Sequence, residues 1–587
     1  MSAHTPLPPR HHALRLYLAF AVLGAGITLL GDVHDWPVVL HGGLIDPDSY
    51  MRLVRILQGM KAGHLTNLVR GDDSGTPLIV EWSRLLDGLL LLLAAPLAPF
   101  IGWREALFAA GVATGPLFGG LLGAALAFAA RPFCSRNWLW TAVVPGLLLS
   151  GIRGFNEFGV IHYHTLQLAL VALAAGFAAR RAFTAAGLAA GLALWVTPET
   201  MPFVLLVFVA LGWAWCFRPI GAGVARAGAA LFGVVAIAVL LDPPHGGAGV
   251  VELDRVSIVY LVLAGAVAGA GIWLALLDRL QVRARMRWAL GASGALCLFA
   301  VWLGLYPAVA LGPAALMPAA QQHAFFGAII EARPVRGLAD AVSTLGPGIV
   351  ALGYASWRCW RARGDWLAVG IWLLLAGGVG LGMALTLGWR VFQEYPAGAA
   401  AALLPVALAD LSALLAARPG LGAVARVGLI AVLLVGPYVP RFVGTARATE
   451  RIGRAACPLA DAGRLLAPAV GEIVLTRPGE VPELLWRTRI VAVGSFYQHG
   501  VAGFLRLRAA WRAPAGARPS PAFRASGARF VLFCDTGRAH PIGFAGSRDS
   551  LWNRLAASQP PPWLRLVGQQ KAARLRLYEV EERASAR

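Results

Sequence analysis

Between residues 13 and 443 the chain runs through one apolar stretch after another, each set off by a short interruption rich in Arg. A run of about 20 apolar residues matches the ~30 Å hydrocarbon core of a bilayer, and inside it every backbone polar group must be satisfied within the segment, which a helix does. Thirteen spans are expected, at 13–31, 105–130, 137–152, 162–180, 183–198, 200–217, 223–241, 256–278, 287–310, 341–357, 366–387, 391–417 and 426–443. The composition agrees: 58% of residues are hydrophobic and 14% charged, against roughly half and a quarter in soluble domains. The net charge of +21, carried almost wholly by Arg, would point to nucleic acid in a soluble chain. Here much of the Arg lies in short loops between spans, where it sets topology, so no nucleic-acid partner is expected. Arg in place of nearly all Lys hints at a GC-rich bacterium.

The basic loops also give an orientation. With the N-terminus cytoplasmic, the cytoplasmic loops hold Arg131 and Arg136, Arg180 and Arg181, Arg218, Arg279 to Arg287, Arg358 to Arg363, and Arg418 and Arg426. The opposite loops, 32–104, 153–161, 242–255 and 311–340, carry most of the acids and several His. This alternation requires the apolar run 84–101 to lie on the membrane surface or re-enter it, because a full crossing would invert everything after it. The stretch 1–12 is polar, and no small-residue cleavage site follows the first run, so it does not read as a cleaved signal peptide. The expected architecture is a polytopic α-helical membrane region, 1–443, with long external loops at 32–104 and 311–340. A small α/β domain at 444–587 follows on the external, periplasmic side of a bacterial inner membrane.

In that last segment GEIVLT, RIVAVG and ARFVLFC read as buried strands, and stretches near 479–486, 498–511 and 548–558 as helices. Cys457 and Cys534 both fall in it, and an oxidising compartment would favour a disulfide between them over two buried thiols. No internal repeat is evident, which counts against a secondary transporter.

Charges near a bilayer cost free energy, so a set of them on one side invites a functional reading. Four groups fall on the external side. Asp46-Pro-Asp48-Ser-Tyr-Met-Arg52 follows the first span, and two carboxylates two residues apart can offer oxygens to a hard divalent cation. The same spacing on a loop is commonly just solvated charge. The stretch 51–62 reads as an amphipathic helix with Arg52 and Arg55 at the membrane surface, within reach of a lipid phosphate. Arg153-Gly-Phe-Asn156-Glu157 and His162-Tyr-His164 occupy a short loop entering a span. His at i and i+2 do not share a face of a regular helix, but can converge at a loop-to-helix junction, and two beside a Glu suit a metal. Ile329-Ile-Glu331-Ala-Arg333-Pro334 lies in the long loop 311–340, which has the length of a lid. Trp389-Arg390-Val-Phe-Gln-Glu394-Tyr395 sits at a membrane boundary, where Arg390 offers phosphate a planar donor fork or serves as an interfacial anchor.

In order and side these groups resemble the catalytic subunit of oligosaccharyltransferase and, more widely, the GT-C superfamily of polyprenyl-linked sugar transferases, over about three-quarters of the chain. The family's D-P-x-x-x-Y-R-type motif after the first span is similar to Asp46–Arg52. Its second acidic motif falls where this chain has His162-Tyr-His164, after a matching Arg153. Its T-I-x-E motif resembles Ile329-Ile-Glu331, and its R-F-x-x-Y segment resembles Arg390 to Tyr395 with one extra residue. The horizontal helix at 84–101 also has a counterpart there.

The resemblance implies that Asp46, Asp48, Glu157, His162, His164 and Glu331 supply ligands to a divalent cation, Mn or Mg. Asp46, Asp48 and Glu331 would be the catalytic carboxylates, one of the two Asp orienting or deprotonating the acceptor. Arg52, Arg153, Arg390 and Tyr395 would hold the donor. It departs from the family in having His for carboxylate in the second motif, in lacking a W-W-D-Y-G motif, and in its short C-terminal domain. The expected function is therefore transfer of a sugar or oligosaccharide from a polyprenyl (di)phosphate carrier in the membrane lipid to a protein, lipid or glycan acceptor. A polyprenyl-phosphate-monosaccharide transferase acting on a glycolipid or envelope polysaccharide is the alternative. A transporter of lipid-linked sugars predicts charges at mid-membrane, of which the spans are nearly free, and a scaffold predicts that the four groups lie apart.

Overall fold

A computed structural model of the chain describes residues 10–72, 77–312, 317–329, 331–416, 428, 457–535, 544, 546–572 and 574–581. It is mostly helical and divides into two compact units. Residues 1–36, 112–313 and 334–443 form a helical unit, and residues 37–111, 314–333 and 444–587 form a unit that carries the sheet.

Among the described residues nine helices are long and apolar enough to cross a membrane: Leu14–Gly31, Trp103–Ala130, Pro198–Phe217, Gly221–Leu241, Ile258–Arg279, Arg285–Leu305, Leu338–Arg361, Trp366–Gly388 and Arg390–Ala416. The expected spans 162–180 and 183–198 are the shorter helices His164–Ala179 and Phe183–Val196. At 1.5 Å per residue their 16 and 14 residues rise about 24 and 21 Å. The run 137–152 is not one continuous helix. The helix runs through Pro145 to Leu147, and the segment divides into Trp140–Leu147 and Ser150–Arg153 where Leu149 leaves helical backbone, φ −58° and ψ 136°. The span expected at 426–443 lies outside the described residues. This is a multi-pass membrane protein.

Helices in lipid gain no hydrophobic drive from meeting each other, so small residues that permit close approach decide their contacts. Gly187 and Gly191 sit four apart on Phe183–Val196. A Cβ on Gly187 would lie 2.0 Å from the Ala227 carbonyl oxygen, and one on Gly191 would lie 2.7 Å from Val234 Cβ, both on Gly221–Leu241. Three apolar clusters tie the unit together. One joins Phe20, Leu122, Val143, Leu168 and Tyr395. A second joins Ala355, Trp372 and Val406, and a third Leu211, Trp215, Val224 and Leu274.

The other unit has a five-stranded mixed sheet: β3 Ile473–Leu475, β4 Val491–Ala492, β5 Phe530–Cys534, β6 Leu564–Gln570 and β7 Leu575–Val580, in the order β4-β3-β5-β7-β6. β3 runs parallel to β4 and β5, while β5, β7 and β6 are antiparallel neighbours. All five residues of β5 are buried, as expected of a strand covered on both faces. The three strands read from sequence are β3, β4 and β5, and the β6–β7 hairpin is additional. A separate hairpin, β1 Leu68–Val69 with β2 Leu78–Ile79, belongs to the same unit. Cys457 and Cys534 are joined by a disulfide.

Residues 444–587 thus share a compact unit with most of the two long loops. Phe325 of the second loop is buried, with its ring edge-on to Phe504 at 5.3 Å. Helix Pro47–Ala62 packs against helix Val481–Arg487. The apolar run 84–101 is helix Leu85–Ala94, a turn, and Ala98–Ile101. Ten residues rise about 15 Å, half of what a crossing needs. One face buries Leu86, Asp87 and Leu90, while Leu92 and Phe100 stand exposed, as on a helix with an apolar face turned outward.

Candidate functional site

In the sheet-bearing unit the first acidic motif is built into a helix start. Asp46 is the N-cap of Pro47–Ala62, its carboxylate accepting from the Ser49 backbone N–H at 3.2 Å and from the Ser49 hydroxyl. Pro47 follows at the first helical position, where its missing N–H costs nothing, and Asp48 stands in the first turn, where the helix dipole favours negative charge. One local arrangement therefore serves both stability, about 1 kcal/mol for the cap, and the presentation of two carboxylates. An oxygen of Asp46 and one of Asp48 lie within 4.8 Å of each other. The Tyr497 hydroxyl donates to Asp48 at 2.9 Å. Burial first, then the neighbouring carboxylates of Asp48, Asp46 and Asp72, push that phenol well above its ordinary pKa, so Tyr497 acts as a donor.

Two residues on, Tyr50 accepts from the Leu44 backbone N–H at 2.8 Å and donates to Glu483 at 3.1 Å. Burial, with Glu483 second, pushes its pKa up to about 12. Arg487 closes this group, bonding Glu483 at 2.6 Å and the Gly42 carbonyl at 3.1 Å.

Arg52 requires a correction. Read from sequence as a surface residue free to meet a lipid phosphate, it is 2% exposed and pairs with Asp87 at 3.2 Å. Arg55, 1% exposed, pairs with the same carboxylate at 2.7 Å and donates to the Trp82 carbonyl at 2.8 Å. Arg52 also stacks over the Trp82 ring at 4.6 Å. The amphipathic pattern of the helix was legible, but its basic face turns onto an acid 35 residues away. Glu331 lies half-buried in a turn that Arg333 closes by donating to the Gly327 and Ala328 carbonyls.

In the helical unit Arg153 donates to Asp32 at 2.8 Å and to the Gly31 carbonyl, and the half-buried Glu157 follows in the same loop. His164 opens helix His164–Ala179, and His162 precedes it in the loop. Their rings stack at 5.4 Å, with Phe155 against His164 at 4.2 Å, so the i, i+2 pair converges at the junction. His164 is also part of a buried polar triad. Its Nδ1 lies 3.2 Å from Gln167 Nε2 and 3.5 Å from a Glu394 carboxylate oxygen, and Gln167 donates to Glu394. Arg390 stands in the short turn Arg390–Gln393 before helix Glu394–Ala416, paired with Asp340. Asp340 further accepts from the Arg336 N–H at 2.9 Å and the Thr344 hydroxyl. Tyr395 is buried, its ring stacked on Phe203 at 3.7 Å.

No protein-family model matches the sequence, and no curated protein matches it. Solved structures do. The crystal structure of the Archaeoglobus fulgidus oligosaccharyltransferase in its apo form aligns over 89% of this chain and 70% of its own, with a TM-score of 0.64 and 14% identity. The same enzyme tethered to an acceptor peptide containing an NVT sequon aligns over 89% and 69% with a TM-score of 0.63 at 13% identity. Its complex with Zn and sulfate aligns over 88% and 67% with a TM-score of 0.60, also at 13% identity. The chain shares the fold of that oligosaccharyltransferase. At this identity the likeness is one of fold.

Several polar partners lie outside the residues singled out from sequence: Asp32, Gln167, Asp340, Asp87 and Tyr497. Glu394, named in the fourth motif, opens a long apolar helix and meets His164 and Gln167. Asp340 likewise opens helix Leu338–Arg361. Tyr497 carried no signal in the sequence.

Proposed function

We propose that this protein is an oligosaccharyltransferase-like glycosyltransferase. It moves a sugar or oligosaccharide from a polyprenyl phosphate or diphosphate to an acceptor on the periplasmic side of an inner membrane. The observation that carries this reading is the alignment of 89% of the chain with an oligosaccharyltransferase, taken with the acidic motif at the start of helix Pro47–Ala62. Cleavage of a sugar from a lipid phosphate develops negative charge on the departing oxygen, and an Arg fork stabilises that charge as it forms. Arg390 is assigned that role, and Asp46 or Asp48 orients or deprotonates the acceptor.

A divalent cation suits the donor set. Two carboxylate oxygens within 4.8 Å match ligands that each stand about 2.0–2.6 Å from one ion, and Zn is present in one neighbour. Asp46 and Asp48 would hold it, with Glu157, His162, His164 and Glu331 proposed as further ligands on the resemblance. The cation would supply Lewis-acid stabilisation of the phosphate leaving group. Arg153, tied to Asp32, is assigned to shaping the loop 153–161 at the donor site.

Membrane insertion with the N-terminus cytoplasmic follows from the basic loops. Purified protein should transfer label from a radiolabelled polyprenyl-linked sugar, and Asp46→Ala, Asp48→Ala and Glu331→Ala should each lower the rate by 100-fold or more. Variants as active as wild type would remove these assignments. A panel of peptide, glycolipid and polysaccharide acceptors would separate oligosaccharide transfer to protein from the monosaccharide alternative.

A further inference from the structure

The motif that holds Asp46 and Asp48 does not stand by itself. A chain of contacts through Asp87, Arg52, Trp82 and Tyr497 ends on Asp48 inside one compact unit. The Tyr497 hydroxyl donates to Asp48 at 2.9 Å. The Tyr497 ring is buried, edge-on to Trp82 at 5.2 Å. Trp82 in turn carries the Arg52 guanidinium on its face at 4.6 Å, and Arg52 is pinned by Asp87. Ser495, two residues before Tyr497, donates to the buried Asp72. The loop after β4 is therefore clamped at both Ser495 and Tyr497, and the second clamp ends on a carboxylate of the acidic motif.

A carboxylate in the first turn of a helix has free χ1 and χ2 rotations unless a partner fixes it. Holding a ligand group to within a few tenths of an ångström takes such a partner, and outer-shell hydrogen bonds of this kind typically change metal affinity 10- to 100-fold. Tyr497 is well suited to the task. Its ring is immobilised by Trp82 and by burial, and its hydroxyl donates to one oxygen of Asp48.

We infer that Tyr497 is the positioning residue of Asp48, so that the loop after β4 in the C-terminal segment completes the acidic motif of the first loop. This rests on the reading of Asp48 as a cation ligand. The C-terminal segment is thereby a part of the cation machinery, besides any role it has toward the acceptor.

The test uses the full chain in detergent and Mn²⁺ alone, followed by the electron paramagnetic resonance of the free ion, so that neither donor nor acceptor is needed. Tyr497→Phe keeps the ring and its contact with Trp82 and removes only the donor. It should weaken Mn²⁺ binding by about 10-fold or more, and in the transfer assay lower kcat more than it raises KM for the donor. Ser495→Ala removes the neighbouring buried hydrogen bond in the same loop and should leave Mn²⁺ affinity unchanged. If Tyr497→Phe binds Mn²⁺ like wild type while Asp48→Ala does not, Tyr497 has no positioning role and the proposed function stands. An equal loss in Ser495→Ala and Tyr497→Phe would mean general loosening of the loop, and the inference fails. If Asp48→Ala itself binds Mn²⁺ normally, the cation reading of Asp48 is lost and this inference with it.

Discussion

Removing Asp87 should destabilise the sheet-bearing unit. Its carboxylate is 1% exposed and is shared by two guanidinium groups, Arg52 at 3.2 Å and Arg55 at 2.7 Å, themselves 2% and 1% exposed. Taking away one member of a buried ion pair costs about 3–5 kcal/mol. The unit has roughly 240 residues, for which 1 kcal/mol corresponds to about 2–4 °C, so Asp87→Ala should lower the melting midpoint by roughly 6–20 °C. Arg52→Met is milder, because Arg55 still neutralises Asp87. The loss of a charged hydrogen bond costs about 1–3 kcal/mol, roughly 2–12 °C on the same scale. Tryptophan-fluorescence melts of the detergent-solubilised chain read both, and the double variant should fall short of the sum because the two sites are in contact. An Asp87→Ala midpoint within 2 °C of wild type would refute the structural role. Loss of polyprenyl phosphate binding in Arg52→Met at a wild-type midpoint would restore Arg52 to the substrate.

The disulfide closes a separation of 77 residues, for which chain entropy gives about 4.5 kcal/mol. Reductant should lower the melting midpoint, and thiol titration of denatured, unreduced protein should find four reactive cysteines, Cys134, Cys216, Cys297 and Cys359, not six. Tyr50, with its pKa raised from 10.0 to about 12, is protonated longer in the folded chain than in the unfolded one. Its contribution is complete below pH ~10 and is lost as pH rises through about 12, to a limit of about 2.7 kcal/mol for two pH units. Alkaline unfolding of Tyr50→Phe should be correspondingly flatter, and a curve identical to wild type would exclude this group as the cause. Asp340 neutralises Arg390 at a site where both are about a fifth exposed, so the effect of removing its charge is reduced by solvent screening. Asp340→Asn should tighten binding of polyprenyl phosphate by about 3- to 10-fold in equilibrium titration, and weaker binding would assign Asp340 to orienting Arg390 instead of competing for it.

What could be read in the sequence was what is local. Hydropathy is written along the chain, so the long helices and the apolar run at 84–101, here two short helices, were legible, as were β3, β4 and β5. The break at 137–152 was missed because it falls at Leu149, inside an apolar run where hydropathy gives no sign of a change in backbone. The β6–β7 hairpin carried only a short signal, the Leu-Arg-Leu alternation that opens both LRLVGQQ and LRLYEV. Partners were not legible. Arg153 meets Asp32 across 121 residues, and Tyr497 meets Asp48 across 449, distances over which side-chain pairing leaves no pattern. The four motifs could therefore be found as motifs, while Arg52 was placed on the surface when a single acid in the next helix takes it inside.

The separation between Asp48 and Tyr497 is also a separation in time. A ribosome adding 5–20 residues per second brings Tyr497 out roughly 20 to 90 seconds after Asp48, with most of the membrane helices inserted in between. Throughout that interval helix Pro47–Ala62 has its own N-cap but lacks Glu483, Arg487 and Tyr497. A nascent chain already lying among lipid carriers would thus hold an acidic motif that is present but unassembled, and one that becomes complete only after translation has passed residue 497.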